Sequence, residues 1–406
     1  MGGRAPVSGA PPPGVNSWCE IDAAALRHNV AQLRRRLPPG CGLAAVVKSN
    51  AYGHGMLACA DEFLRAGADW LVVNALYEAR QLRRHGVRAP VYVCGPVAPG
   101  QAAAAVETGA HVVLSEGEVA AALDGAGRAS ATRVPVHIKL ETGMHRQGLE
   151  LPDALALARA VVAMPGLRLV GLTSHLADTD EVDEGSAAAR QLAVVRRGVA
   201  AFREANLPLD LVHVASSGGA LVLPEIPGNM VRAGIAAYGL WPSAAVRAAV
   251  EARSGGDGRL VPALTWRARV AQVRHLPAGA AIGYGGTYVL PRPASVAVLP
   301  VGYAEGYLRP LSNRGLVLAG GSRCPVRGRV CMNMTMIEVA PAVRAGMAAT
   351  LVGGEGGQYL GADEVAELAG TVNYEVVTRI HPDLPRFLRR EDGALEPVPT
   401  GGDTLS

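Results

Sequence analysis

Eight short apolar runs recur between Ala44 and Arg232, with helix-patterned stretches between them: AAVVK (44–48), WLVVN (70–74), VYVCG (91–95), HVVLS (111–115), VHIKL (136–140), LRLVGLTS (167–174), LVHVAS (211–216) and the weaker NMVR (229–232). Strands that alternate with helices and are apolar on both faces belong in a parallel sheet covered on both sides. Seven clear runs with a weak eighth favour a closed (β/α)8 barrel over an open doubly wound sheet. In such a barrel the chemistry gathers at the carboxyl ends of the strands. Lys48, Lys139, His175, Ser216 and Arg232 all fall at or just past such ends, so residues spread widely along the chain can face one place.

A weakly patterned stretch from Ser243 to Val261 follows, and then the pattern becomes β-rich: LTWRARVAQVRHL, ASVAVLPVGY, CPVRGRVCMNMTMIEV and AATLVGG. The fold class expected is α/β, a TIM-like (β/α)8 barrel followed by a mainly β C-terminal domain. The expected division is a disordered tail over 1–16, the barrel over 17–258, the β domain over 259–390 and a disordered polar tail over 391–406. A chain of 406 residues that is 49% hydrophobic can bury a core of this size. Its net charge of +4 is mild and its arginines scattered, which argues against nucleic-acid and polybasic membrane partners. No apolar run is long enough to span a bilayer, and the start MGGRAPVSGAPPPG lacks a signal peptide's hydrophobic core, so a cytoplasmic location is expected. The six cysteines show neither a CxxC pair nor metal-ligand spacing, which points to free thiols and no metal.

Of the 39 lysines and arginines, the only lysines are Lys48 and Lys139. A chain that uses arginine wherever a positive charge suffices keeps lysine where an amine of adjustable pKa is needed, because arginine cannot serve as a nucleophile. Both lysines are therefore candidates for amine chemistry. In AVVKSNAYGHG (45–55) an apolar strand ends in Lys48 and runs into a Gly-flanked turn carrying Asn50, Tyr52 and His54. A lysine there can form a Schiff base once its amine is neutral, a state that burial beside other cations favours. The bland alternative, a lysine snorkelling from a strand end, leaves the scarcity of lysine unexplained.

This segment resembles the cofactor-binding segment of the alanine racemases. The resemblance continues from about Trp18 to Arg386 through VHIKLETGMHRQG (136–148), LTSHLADTD (172–180), HVASSGG (213–219), NMVRAGIAAYG (229–239), AIGYGGTY (281–288), VGYAEGY (301–307), GRVCMNMTMI (328–337) and VNYEV (372–376). It implies pyridoxal 5'-phosphate (PLP) as cofactor, a small amino-acid substrate, and a head-to-tail homodimer in which each active site borrows residues from its partner. Lys48 matches the lysine that holds PLP and serves one face of Cα, and Tyr284 matches the second base, contributed by the other subunit. Arg232 matches the partner of the pyridine nitrogen. An arginine there keeps that nitrogen unprotonated, which favours quick reprotonation of the carbanion over transamination. His175 resembles the link between Tyr284 and Arg232, a source of the positive charge that a phenol needs to act as a base near neutrality. Tyr52, Ser217, Gly234, Ile235 and Tyr374 match the phosphate donors, with Gly234 allowing close backbone approach and Ile235 giving only its N–H. Arg146 and the backbone of Met332 match groups that hold the substrate carboxylate, Tyr303 a gate, and Arg309 and Asp180 residues of the entry channel. Lys139 matches a lysine that is often carbamylated, which orients the arginine equivalent to Arg146. Without the resemblance, Tyr284 reads equally as a turn residue, His175 as a satisfied polar side chain, Arg232 as half of a salt bridge, and the other tyrosines as core residues.

Some positions depart from the family pattern. Glu141 stands where Asp is usual, Ser216 where Asn is usual, Asn333 where Asp is usual, and Asp383 where Arg is usual. Asn333 removes a negative charge beside the substrate and bears on which side chain is accepted. The alternatives to an alanine racemase are a broader amino-acid racemase, a PLP-dependent decarboxylase, and a non-enzymatic PLP carrier. Decarboxylases of this architecture pair the pyridine nitrogen with a carboxylate where this chain has Arg232, and the carriers lack a second domain.

Overall fold

The computed structural model describes residues 14–254 and 258–399. The strands in chain order are β1 (Ser17–Asp22), β2 (Gly42–Val46), β3 (Trp70–Val73), β4 (Val91–Val93), β5 (His111–Leu114), β6 (Val134–Lys139), β7 (Leu167–Thr173), β8 (Leu211–His213), β9 (Met230–Ala233), β10 (Leu264–Arg269), β11 (Gln272–Leu276), β12 (Ala281–Ile282), β13 (Tyr288–Val289), β14 (Ala294–Leu299), β15 (Leu316–Ala319), β16 (Ser322–Pro325), β17 (Thr335–Val339), β18 (Ala348–Glu355), β19 (Gln358–Leu360), β20 (Arg386–Arg389) and β21 (Leu395–Pro397). The eight runs found in the sequence are β2 to β9.

These eight strands form one parallel sheet in the order β8-β7-β6-β5-β4-β3-β2-β9. Pairing of Gly42 with Met230 through Ala45 with Ala233 brings β9 back against β2 and curls the sheet into a barrel. Between β8 and β9 there is no ladder; the ring is joined there by Arg232 N–H donating to the Ala215 carbonyl and Asn229 N–H donating to that of Val212, both at 3.0 Å. The strands read as unbroken apolar runs because helices such as Leu76–Arg84, packed on β3 and β4, and Leu151–Val162, packed on β6 and β7, cover one face while side chains fill the other. At Gly171 in β7 a Cβ would stand 1.7 Å from the Leu211 carbonyl oxygen, so the approach of β8 requires glycine there.

The second compact unit is built mainly on the sheet β16-β15-β18-β10-β1-β20-β21, with β19 on β18, and on the three strands β11-β14-β17. Trp18, Trp266 and Tyr307 are buried at its centre, the last two with ring centroids 6.1 Å apart.

Three features differ from the sequence reading. Ser17–Asp22, expected in the barrel domain, pairs antiparallel with β10 and parallel with β20, and so belongs to the second unit. Residues 50–58 also group with that unit although they continue directly from Lys48. Arg386 Nε donates to the Gly53 carbonyl at 2.8 Å, and Gly53, at φ +82°, has no room for a Cβ against the Val377 carbonyl. Leu395–Pro397, expected in a disordered tail, pairs antiparallel with β20, because Asp392-Gly393 forms a tight turn with Gly393 at φ +86°. The remaining residues of the two expected tails, 1–13 and 400–406, lie outside the described residues.

Candidate active site

Lys48 lies two residues past the end of β2 and is half-buried. The turn after it is a left-handed helix: Ser49, Asn50, Ala51 and Tyr52 have φ of 54°, 52°, 54° and 52°. Four successive L-residues in this conformation carry strain on the order of 4–8 kcal/mol, so their surroundings must hold them there. The buried carboxylate of Glu78 accepts from Ser49 N–H at 2.7 Å, and the Asn50 side chain accepts from Met56 N–H at 2.9 Å. His54 Nδ1 lies 3.1 Å from the Ala51 carbonyl and 3.0 Å from that of Tyr52. Burial lowers the pKa of His54 to about 4, so it holds the turn as a neutral donor.

Arg232, inside the barrel on β9, is almost fully buried. Its Nη1 contacts Thr173 Oγ1 (3.3 Å), His213 Nδ1 (2.6 Å) and the His213 carbonyl (2.7 Å), and its Nη2 contacts the Ser174 carbonyl (2.7 Å), His175 Nδ1 (3.2 Å) and the Val214 carbonyl (3.3 Å). Among the described residues it has no carboxylate partner, and its Nε–H has no partner at all. That N–H suits a neutral ring nitrogen, which can only accept.

His175 is held neutral, its pKa lowered to about 2 by burial and then by the charges of Arg232, Lys139, Arg146 and Lys48. The ring itself therefore carries no charge, and the cation it contacts directly is Arg232. Lys139, at the end of β6, is lowered to about 7 by burial and by the cations Arg232 and Arg146, which leaves much of its amine neutral near physiological pH. Ser217 Oγ accepts from Gly234 N–H (2.8 Å) and Ala236 N–H (3.2 Å), drawing the start of the short helix Ser217–Val222 to the 3-10 turn Ile235–Tyr238. The serine hydroxyl thus lies against backbone N–H groups at the start of one 3-10 turn, donors that would suit a phosphate in place of the hydroxyl oxygen they now meet.

Within the second unit, Tyr52 and Tyr374 are brought together with ring centroids 6.2 Å apart. Tyr303 N–H donates to the Cys331 carbonyl (3.1 Å) and Ala304 N–H to that of Met332 (2.9 Å), which ties the Tyr303 and Met332 loops to each other. Tyr284 sits in a short turn between glycines, 72% exposed, and its hydroxyl bonds to no described residue.

The N-terminal domain model of the alanine racemases matches residues 21–242, and their C-terminal domain model matches residues 263–388. The chain belongs to the alanine racemase family. It is 41% identical over 374 residues to the alanine racemase of Symbiobacterium thermophilum, covering 91% of this chain and 96% of that one. It is 39% identical over 382 residues to that of Desulfosudis oleivorans, covering 91% and 96%. The alanine racemase from Bacillus anthracis, solved with bound L-Ala-P, superposes with a TM-score of 0.89 at 34% identity, over 97% of this chain and all of that one.

This alanine racemase family member accommodates several departures from the family pattern locally. Glu141 accepts from the N–H groups of Gly143 (2.5 Å) and Met144 (2.7 Å), an anchoring of the turn that an acidic side chain of either length can provide. Ser216 stands at the N-cap position of the helix Ser217–Val222 without a side-chain cap hydrogen bond, so nothing in this helix start explains serine in place of Asn. Asn333 Nδ2 donates to Glu305 Oε1 at 2.7 Å, so the position where the family has Asp stands against a carboxylate from the neighbouring loop. Sequence reasoning missed Glu78 and the histidines His213, His137 and His111, which contact one another in that order, with His213 alone touching Arg232. One signal was available: His137 lies two residues before Lys139 on the same strand, and period two puts both on the inner face.

Proposed function

We propose that this chain interconverts L- and D-alanine with PLP as cofactor, as a cytoplasmic homodimer whose active sites draw residues from both subunits. Membership of the family and the match of both domains support the reaction and the cofactor. The observation that carries the reading is Arg232, a buried donor-only side chain with neither a carboxylate partner nor a partner for its Nε–H among the described residues.

When bound, PLP supplies the sink for the electron pair left as the Cα–H bond breaks. Lys48 would hold it through its amine and, once released, take or return the α-proton on one face. Tyr284 would serve the opposite face when a second subunit docks, a role supported by its exposure and by a hydroxyl that bonds to no described residue. Arg232 would face the ring nitrogen and give up no proton, while neutral His175 stands beside the guanidinium. On the family resemblance, Ser217 and the N–H groups of Gly234 and Ile235 would hold the phosphate, a role it also gives the hydroxyls of Tyr52 and Tyr374. Arg146 would hold the substrate carboxylate, a role the resemblance also gives the Met332 N–H, and Tyr303 would narrow the way in.

Lys139 completes the site as a carbamate. Its neutral amine attacks carbon dioxide, an N–C bond forms, a proton leaves to solvent, and the product is an anion. Repulsion from Arg146 and Arg232 then becomes attraction.

The test is deuterium incorporation at Cα in D2O by purified, PLP-loaded protein offered a panel of L-amino acids, followed by chiral chromatography. Exchange with inversion confined to alanine is expected. Inversion of larger or polar substrates would recast the enzyme as a broader racemase, and bound PLP without any exchange would sink the reading.

A further inference from the structure

Arg232 heads a chain of hydrogen bonds through the barrel interior. Its Nη1 lies 2.6 Å from His213 Nδ1, His213 Nε2 lies 2.9 Å from His137 Nδ1, and His137 Nε2 lies 3.0 Å from His111 Nδ1. Tyr92 packs on His213 at 4.9 Å and on His137 at 5.1 Å, and Trp70 packs edge-on to His111 at 4.6 Å. Tyr92, His137 and His213 come from β4, β6 and β8, alternate strands of the barrel, where a layer of branched aliphatic side chains is the usual filling.

The direction of this chain follows from its first member. Arginine only donates, so His213 Nδ1 accepts and the proton of a neutral His213 resides on Nε2. That N–H donates to His137 Nδ1, which places the His137 proton on Nε2 in turn, and the same step fixes His111. Burial favours the neutral form of each ring, with His213 and His137 held well below the ordinary histidine range and His111 lowered to about 4, where Arg168 and Arg83 add to the effect. Three imidazole dipoles then align head to tail, with their lone pairs directed at the guanidinium.

We infer that the His213–His137–His111 column is the positioning device of Arg232, a neutral, one-directional hydrogen-bond chain that orients and stabilises a buried guanidinium where a carboxylate would otherwise be needed. A carboxylate would neutralise the cation and engage its donors as a bidentate pair. The column contacts one nitrogen and leaves the charge whole and the Nε–H free. Its effect on catalysis rests on the reading of Arg232 as the partner of the PLP ring nitrogen.

Two measurements test it. In full-length, PLP-loaded protein carrying 15N-labelled histidine side chains, NMR from pH 6 to 9 should show Nε2–H tautomers and no titration for all three rings, assigned by single His→Leu variants. An Nδ1–H tautomer or an imidazolium at any of them overturns the inference. In kinetics, His137→Leu removes the acceptor, whereas in His137→Asn the amide oxygen takes the place of Nδ1. The Leu variant should lose roughly tenfold in kcat, the worth of about one hydrogen bond, with KM for alanine within about twofold, and the Asn variant should recover most of it. Wild-type kcat in the Leu variant, or equal loss in both, overturns the positioning role. If the Leu variant does not fold, the wild-type tautomers decide. Expected tautomers in a protein that racemises nothing would count against the proposed function and leave the column standing.

Discussion

Glu78 Oε1 accepts from Ser49 N–H at 2.7 Å, one residue past Lys48, while its Oε2 accepts from Asn74 N–H at 2.7 Å and Ala75 N–H at 3.1 Å. One buried acid thereby fixes the ends of β2 and β3 and the first residue of the left-handed turn. Glu78→Ala removes the shared partner of three N–H groups on exposed or half-buried residues, each hydrogen bond being worth about 0.5–1.5 kcal/mol net. Chemical denaturation should show a loss of about 1.5–4 kcal/mol. An unchanged midpoint would mean that water satisfies these groups and the carboxylate anchors nothing.

Lys48 and Tyr284 should separate cleanly by mutation. Lys48→Ala should abolish covalent retention of PLP, read from the visible absorbance that survives gel filtration. Tyr284→Phe should keep that absorbance yet lose about 10²-fold or more in racemisation, the usual worth of a general acid/base. Normal racemisation by Tyr284→Phe would remove it from the two-base scheme.

Lys139 carries a pH dependence of definite sign. Its pKa falls from 10.5 to about 7 on folding, so below about 7 both folded and unfolded chains are protonated, and between about 7 and 10.5 the unfolded chain alone holds the proton. Stability of the unmodified protein therefore rises with pH across that window. Carbamylation needs the neutral amine and should follow the same direction. Native mass spectrometry should find one added carbon dioxide per chain at pH 8 in bicarbonate, and none at pH 6 in carbon-dioxide-free buffer or in Lys139→Met. An unmodified wild-type chain at pH 8 would discard the carbamate.

Asn333→Asp, the change toward the family pattern, sets two carboxylates against each other in place of the 2.7 Å hydrogen bond to Glu305. Like charges at this separation raise one pKa, so the pair tolerates one proton and loses it as pH rises. Relative to wild type, kcat/KM for alanine should fall about fivefold between pH 7 and pH 9, comparable to one hydrogen bond. A ratio independent of pH would show that the pair plays no part in holding the Met332 loop.

The barrel and the second domain were legible in the sequence because burial on both faces forces strands into unbroken apolar runs, and because a barrel brings consecutive strand ends together whatever their separation. The scarcity of lysine likewise marked Lys48 and Lys139 as candidates for amine chemistry without any structure, since arginine cannot serve as a nucleophile. Tertiary structure alone decided the allegiance of Ser17–Asp22, whose apolar pattern suits either sheet and whose partners β10 and β20 lie hundreds of residues away. It also decided the left-handed turn after Lys48, which no local propensity favours and which Glu78 and His54 hold from outside. The histidine column belongs to the same class. A histidine in a strand has two nitrogens and either tautomer, and only the packing of β5, β6, β8 and β9 around a donor-only arginine gives the three rings one direction.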